Sequence, residues 1–412
     1  MNRLTTGKRI LLSAVTYVFV LVSPVWCQTP ATFFGMDIHP GVLTSQPWPS
    51  VPFGSIRLWD TATTWNDLEP TQGVYDWTTL DGYLALAQAH HVDVLYTFGG
   101  TANWAASGSG PQCPYTPESC YPPSNIQDWD QFVTALVAHS AGKIKYWELW
   151  NEANLSNSWD GSVATLAQLA QHAYTIIKAA DPTAIVLTPS SVGTAYNVEQ
   201  FLDGYFAAGG LSATDVVTFH GYVGTTPETV LDYVAAAKAS MASYGIPGKP
   251  LWDTEGSWGT ISSLASPNDA PGFLAREFIL QWSSGVSRFY WYAWNNTSFG
   301  TLWTTSGIQP AGVAYGQVYN WMVGATMSSP CTMASDSTWT CALTRSGGYQ
   351  ALVIWNSATT ESYRPAGQYK QYLDLAGNAN PINGAVSIGY TPILLVASTP
   401  PAPPTNVSAV IR

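Results

Sequence analysis

Between Phe33 and Ala325, eight short apolar segments alternate with segments of helical periodicity. After Ala325 the pattern changes to short alternating runs broken by Gly, Asn and Pro. Strand alternating with helix calls for a parallel sheet, and eight such units in roughly 290 residues fit a closed barrel. The predicted class is α/β: a (β/α)8 TIM barrel over residues 28–325, followed by a small, β-sandwich-like antiparallel domain over 326–397. A doubly wound open sheet is the competing reading. It would want a glycine-rich phosphate turn after the first strand, and Gly35-Met36-Asp37-Ile38-His39-Pro40 is not one.

Residues 1–27 read as a secretory signal, with Arg3, Lys8 and Arg9 ahead of the largely apolar stretch 10–22 and a cut near Cys27. That stretch is short for a membrane span, and no later run approaches the ~20 residues a span needs. The mature chain is therefore expected outside the cell or in the periplasm, without stable membrane association. Strand candidates follow at 33–38, 54–58, 92–98, 144–150, 184–188, 216–219, 250–254 and 287–294. Helical periodicity marks 80–90, 129–139, 163–180, 227–244, 273–282 and 311–323. In the second domain the strand candidates are 338–343, 350–355, 368–373 and 392–397, and 398–412 is a proline-rich tail.

Composition narrows the partners. The chain carries a formal charge of −11, which becomes −14 once the three basic signal residues are gone. Twelve remaining basic residues argue against nucleic acid, whose binding rests on neutralising phosphates, and against an anionic membrane. Charged residues make up 10% of the chain, well below the roughly 25% of ordinary soluble domains. The exterior must be built from hydroxyl, amide and aromatic groups. Nineteen tryptophans serve mainly as core, but a weakly charged aromatic surface also suits uncharged polyols such as a carbohydrate substrate. Four cysteines remain after Cys27: Cys113, Cys120, Cys331 and Cys341. Of three formal pairings, the two local bridges Cys113–Cys120 and Cys331–Cys341 are expected. Neither pair has metal-ligand spacing or neighbouring histidines, so no metal and no cofactor is expected. No feature specifies oligomeric state.

The chemistry sits on two glutamates. Glu152 follows the fourth strand candidate and Glu255 follows the seventh, 103 residues later. Three β/α units at ~30–35 residues each span such a gap, and the reaction face of these barrels lies at the C-terminal strand ends. Strands four and seven face each other across the mouth. Two opposed carboxyls are the minimum equipment for cutting a glycosidic bond.

Tyr146-Trp147-Glu148-Leu149-Trp150-Asn151-Glu152 resembles the acid/base motif of clan A retaining glycoside hydrolases. Within the clan it is most similar to family 39 and its bacterial exopolysaccharide-hydrolase branch. Ile56-Arg57-Leu58-Trp59, the stretch from Glu69-Pro70 to Tyr75-Asp76-Trp77, and Asp253-Thr254-Glu255-Gly256 point the same way. One departure is Ala153, where the clan usually has Pro after the acid/base residue. The resemblance covers residues 33–325. It implies double displacement, with Glu152 as acid/base and Glu255 as nucleophile. It further implies that Asn151 holds the sugar 2-hydroxyl and that Arg57 lies beside Glu255. His220-Gly221-Tyr222 would place the Tyr222 hydroxyl on the nucleophile, and Trp294 would floor the subsite.

Arg57 and Tyr222 should lower the pKa of Glu255, while repulsion from Glu255 and an apolar wall such as Trp150 should raise that of Glu152. Glu148 shares side-chain parity with Glu152 and is expected one layer deeper, in an ion pair. Trp104, Trp258 and Trp303 are equally platform or packing candidates. The long loop 105–125 leaves the third strand on the reaction face, where it could wall a cleft or close it. The competing functions are a carbohydrate-binding protein on a degenerate barrel and a family 5-like endo-glucanase or mannanase.

Overall fold

The computed structural model describes residues 28–397; the expected signal segment with Cys27 and the proline-rich tail lie outside the described residues. The eight predicted barrel strands are all present, most of them trimmed at the ends. They are β1 (Phe34–Asp37), β2 (Ser55–Leu58), β3 (Asp93–Thr97), β4 (Tyr146–Glu148), β5 (Ile185–Leu187), β6 (Val217–His220), β7 (Leu251–Gly256) and β8 (Arg288–Trp291). They pair in parallel in the order β5-β4-β3-β2-β1-β8-β7-β6, and a bridge from Leu187 to Val216 closes the ring. Closure removes both sheet edges, and helices cover the outside.

After a single-turn helix α1 (Trp65–Leu68) come α2 (Thr78–His90), α3 (Ile126–Ser140), α4 (Val163–Ala180), α5 (Ala195–Ala207), α6 (Val230–Ser243), α7 (Ala270–Ser283) and α8 (Pro310–Met322). Local chemistry accounts for their bounds. Ser162 caps α4 by accepting from the Thr165 amide at 3.0 Å, and Leu166, Leu169, Ala170, Ala173 and Ile177 form its buried stripe. Thr194 and Asn197 form a capping box at the start of α5. Helix α7 is buried almost all round because a second layer covers its outer face. Among the described residues, no helix is long and apolar enough to cross a membrane.

The barrel interior is filled. Leu95, Tyr146, Leu187, Val216, Trp252 and Tyr290 make its lower layer. The Arg288 guanidinium lies 4.2 Å from the Tyr146 ring centre and 4.6 Å from that of Trp252, and it pairs with Asp93 at 2.7 Å. Gly35 is required on β1, since a Cβ there would sit 2.4 Å from the Tyr290 ring. This plug makes the reaction face a one-sided mouth.

The remaining strands are short except for two. β9 (Trp303–Thr304) and β10 (Gly307–Ile308) form a hairpin before α8. β11 (Thr326–Met327), β12 (Thr332–Met333), β13 (Thr338–Arg345), β14 (Tyr349–Asn356), β16 (Gln371–Leu373), β17 (Ala379–Pro381) and β19 (Ile393–Val396) form one antiparallel sheet. The ribbon of β15 (Glu361–Tyr363) and β18 (Val386–Ile388) lies on it. Alternation assigns the two faces. Ala351, Val353 and Trp355 of β14 join the barrel core, while Leu352 and Ile354 pack with Val386 and Ile388. Both local disulfides are formed, Cys113–Cys120 and Cys331–Cys341.

A polar anchor fastens this sheet to the barrel. Arg276 of α7 pairs with Glu228, its guanidinium lies 4.1 Å from the Tyr390 ring centre, and the Trp355 indole donates to Glu228 Oε1 at 3.0 Å. Trp355 is fully buried and stacks on Trp339 with ring centres 5.5 Å apart. Trp355→Ala should destabilise the protein by about 3–5 kcal/mol in denaturant melts, through cavity and lost contacts. Trp355→Phe, which keeps a ring and loses the N–H, should cost less.

Candidate active site

Four strand ends build the site, and one irregularity aims it. In a regular strand, Thr254 and Glu255 would point to opposite faces. The pairing of β7 slips here: one step from Phe219 to His220 on β6 matches two steps from Asp253 to Glu255. The register against β8 shifts over the same residues. This bulge turns both side chains inward. Thr254 Oγ1 donates to Glu148 Oε1 at 2.6 Å inside the barrel, and Glu255 reaches Arg57.

Arg57 is fully buried and divides its donors. Nε and Nη2 both reach Glu148 Oε2 at 2.8 Å, Nη1 donates to Glu255 Oε2 at 2.6 Å, and Nη2 donates to Asn151 Oδ1 at 2.7 Å. Thr97 completes Glu148 with a hydroxyl at 2.8 Å. The expected deeper ion pair of Glu148 is thus with Arg57. Tyr222 donates its hydroxyl to Glu255 Oε1 at 2.7 Å. Both oxygens of Glu255 therefore accept from fixed donors, the pattern of an ionised carboxyl.

Glu152 is held differently. Its backbone is left-handed, with φ at 46°, and its amide donates to Ser190 Oγ at 3.1 Å. A left-handed non-glycine residue is strained, and this one faces the cleft. His220 decides the hydrogen-bonding role of its carboxyl. The Nε2 atom of His220 lies 3.4 Å from Arg57 Nη2, which can only donate, so Nε2 accepts and the ring hydrogen sits on Nδ1. Nδ1 then donates to Glu152 Oε1 at 3.1 Å. Glu152 Oε2 makes no hydrogen bond among the described residues, leaving it as the atom free to carry a proton into the cleft.

Burial raises the Glu152 carboxyl to about 7, against the pull of Arg57 and with help from the charges of Asp60 and Glu148. Of the two causes expected from the sequence, an apolar surrounding and repulsion by Glu255, desolvation is the dominant one and Glu255 is not among the main contributors. Burial also pushes Glu255 up, while His220, Arg57 and the Tyr222 hydroxyl pull it down. The expected net fall is corrected, because burial outweighs its donors. Burial and Arg57 lower His220 to about 4, so the imidazole is neutral. Asp37, 3.6 Å from Arg57 and without a hydrogen-bond partner on either oxygen, is driven strongly upward by burial. One guanidinium cannot keep every surrounding acid ionised.

Glu152, His220 and Glu255 can each offer an atom to a common centre, all within 4.8 Å of one another. All three already make hydrogen bonds within the protein: His220 Nδ1 donates to Glu152, and both Glu255 oxygens accept, from Arg57 and Tyr222.

Above these groups lies a cavity of about 450 Å³ lined by Asn151, Glu152, Tyr222 and Glu255 together with Trp59, Asp60, Tyr115, Tyr292 and Phe299. The sequence reading did not place Trp59, Asp60, Tyr292 or Phe299 here, although Trp59 lay inside a quoted motif; Tyr115 belongs to the cross-linked loop expected on this face. The loop 105–125 forms part of the wall through Pro114, Tyr115 and Ser119. Trp294 needs correction. Strand β8 ends at Trp291, the Trp294 amide donates to the Asp37 carbonyl, and the fully buried Trp294 does not line the cavity. Tyr292 stands there instead. Trp104, Trp258 and Trp303 also lie off this cavity; the Trp104 indole donates to the Glu69 carbonyl.

No family model and no curated protein matches the chain. Solved structures do. A glycoside hydrolase family 39 β-xylosidase from Caulobacter crescentus is 19% identical, with a TM-score of 0.66 over 90% of this chain and 98% of that one. The likeness is one of fold. A family 30 endoxylanase from Clostridium papyrosolvens is 14% identical, with a TM-score of 0.62 over 90% and 97%. A glucosidase from Croceicoccus marinus is 15% identical, with a TM-score of 0.60 over 87% and 82%. The first belongs to the family that the sequence motifs resemble.

The raised Glu152 carboxyl links stability to pH. The folded state holds its proton until about pH 7, whereas an unperturbed carboxyl loses it near 4.5. Stability contributed below pH 4.5 is therefore lost as pH rises through 7. Glu152→Gln removes this loss. The variant should gain stability relative to the native protein between pH 4 and pH 8, by on the order of 3 kcal/mol in denaturant melts.

Proposed function

We propose that this protein is a secreted glycosidase that cleaves a poly- or oligosaccharide with retention of anomeric configuration. The observation that carries the reading is the approach of Glu152 and Glu255 in one cleft, with carboxyl oxygens within 4.8 Å. Retaining enzymes hold their carboxyls ~5–5.5 Å apart, whereas inverting ones leave ~6.5–9.5 Å for a water. The fold shared with glycoside hydrolases and the sequence motifs support the same reading, and the two disulfides suit an exported chain.

The roles follow from the surroundings. Glu255, accepting from Arg57 and Tyr222, attacks the anomeric carbon as the bond to the leaving oxygen breaks. Glu152 passes its Oε2 proton to that oxygen. The glycosyl ester on Glu255 has lost its negative charge, and Glu152 is now the ionised carboxyl. It takes a proton from an incoming water, whose oxygen bonds to the anomeric carbon as the ester bond breaks, restoring both groups. A carboxyl that titrates at about 7 is suited to both directions of transfer. Asn151, fixed through its oxygen by Arg57, has its amide nitrogen left for the sugar 2-hydroxyl.

Glu255→Gly should lose activity and regain it with azide, giving a glycosyl azide of opposite anomeric configuration. Glu152→Ala should retain appreciable turnover on aryl glycosides with good leaving groups. A polysaccharide and aryl-glycoside panel, with anomers followed by NMR, supplies the substrate. Ordinary turnover by Glu255→Gly without added nucleophile would overturn the assignment. Tyr222→Phe removes one donor from the charged nucleophile and should lower kcat/KM by roughly 10- to 100-fold, as a hydrogen bond to a charged group predicts.

A further inference from the structure

Asp60 lies two residues beyond β2, in the cavity wall, and no step of the proposed reaction uses it. Its backbone is left-handed, with φ at 52°, a conformation that costs energy outside glycine. Its carboxyl is braced from two sides. Tyr115 donates its hydroxyl to Oδ1 at 2.5 Å, and Tyr292 donates to Oδ2 at 2.5 Å. Tyr115 comes from the loop closed by Cys113–Cys120 and meets the Trp59 ring edge-on at 5.7 Å, while Tyr292 follows β8. Two phenol hydroxyls donating to its two oxygens suit an ionised carboxylate. Each oxygen keeps a further lone pair for a sugar hydroxyl.

We propose that Asp60 determines specificity in this cleft, admitting uncharged sugars and repelling uronic sugars from the space beside Glu152 and Glu255. This rests on the glycosidase reading above and narrows its substrate class. The charge inventory supports it. Among the described residues, the carboxyls lining the cavity are those of Asp60, Glu152 and Glu255, and no Lys, Arg or His lines it. Arg57 lies behind Glu255, but it is fully buried and bound to Glu148, Asn151 and Glu255. A uronate carboxylate would lose water, find no cation and face a fixed like charge. Such repulsion is a common route to rejecting a near-isosteric ligand.

The test compares 4-nitrophenyl β-xyloside and β-glucoside with 4-nitrophenyl β-glucuronide. Binding is followed by saturation-transfer NMR and hydrolysis by nitrophenol release, for the native protein, Asp60→Asn and Tyr115→Phe. The native protein should favour the neutral glycosides by at least ~100-fold, as like-charge juxtaposition predicts. Added salt should narrow that preference. Asp60→Asn should reduce it by at least ~10-fold, through tighter binding of the glucuronide, and should weaken its salt dependence. Tyr115→Phe keeps the charge and should keep the preference, which separates charge from bracing should Asp60→Asn fold poorly. Equal binding of glucuronide and neutral glycosides by the native protein overturns the proposal, as does an unchanged preference in folded Asp60→Asn. Selective binding without hydrolysis would sustain it, and the glycosidase reading is overturned separately, by absence of hydrolysis across the full polysaccharide and aryl-glycoside panel. Binding of neither class overturns the proposal.

Discussion

A single buried cation organises the mouth of this barrel. Arg57 has no exposure, and a charge so placed is costly unless paired and hydrogen-bonded. Glu148 and Glu255 supply the charges and Asn151 a further acceptor. With these partners chosen, the states of the neighbours follow. His220 must accept from Arg57 or lie against it idle, which fixes its tautomer and makes it a donor to Glu152. Asp37 lies close to the same cation, but burial outweighs that attraction and drives it towards the neutral form. Glu152, farther out, keeps a proton to about neutrality. Glu152 and Glu255 thus differ in their partners: the guanidinium donates directly to Glu255, whereas it meets Glu152 only through His220.

The periphery stabilises this arrangement from outside. Helix α7 lies between the barrel and the antiparallel sheet, and its Arg276 engages Glu228 and Tyr390. On the opposite rim, the loop stapled by Cys113–Cys120 reaches Asp60 through Tyr115. Both devices tie segments distant in sequence to the frame that carries the strand ends.

Much of this was legible in the chain. Barrel strands announce themselves as short apolar runs between periodic helices, and the spacing of Glu152 and Glu255 placed them on opposed strands. Strands of two or three residues, such as β11, β12, β15, β17 and β18, are too short for a period to register. Trp294 was misplaced because the strand-like run continues past Trp291, where pairing stops. Asp60 and Tyr115 are 55 positions apart and meet only through the folded loop. The weight of desolvation against repulsion in the Glu152 shift was likewise hidden, since desolvation depends on enclosure and not on residue type. Tyr222 and Arg57 were accessible because they sit in motifs attached to strands whose order was already known.

The bulge in β7 gives the centre an unusual dependence on counting. Thr254 and Glu255 both turn inward only because two residues of β7 occupy the space of one on β6. Deleting one residue from this strand would restore regular alternation while leaving its composition nearly intact. One of the two side chains would then turn outward, towards the helices, and Arg57 and Glu148 would lose either a carboxylate or a hydroxyl partner. The geometry of this cluster is therefore written in the length of a strand as well as in the names of its residues.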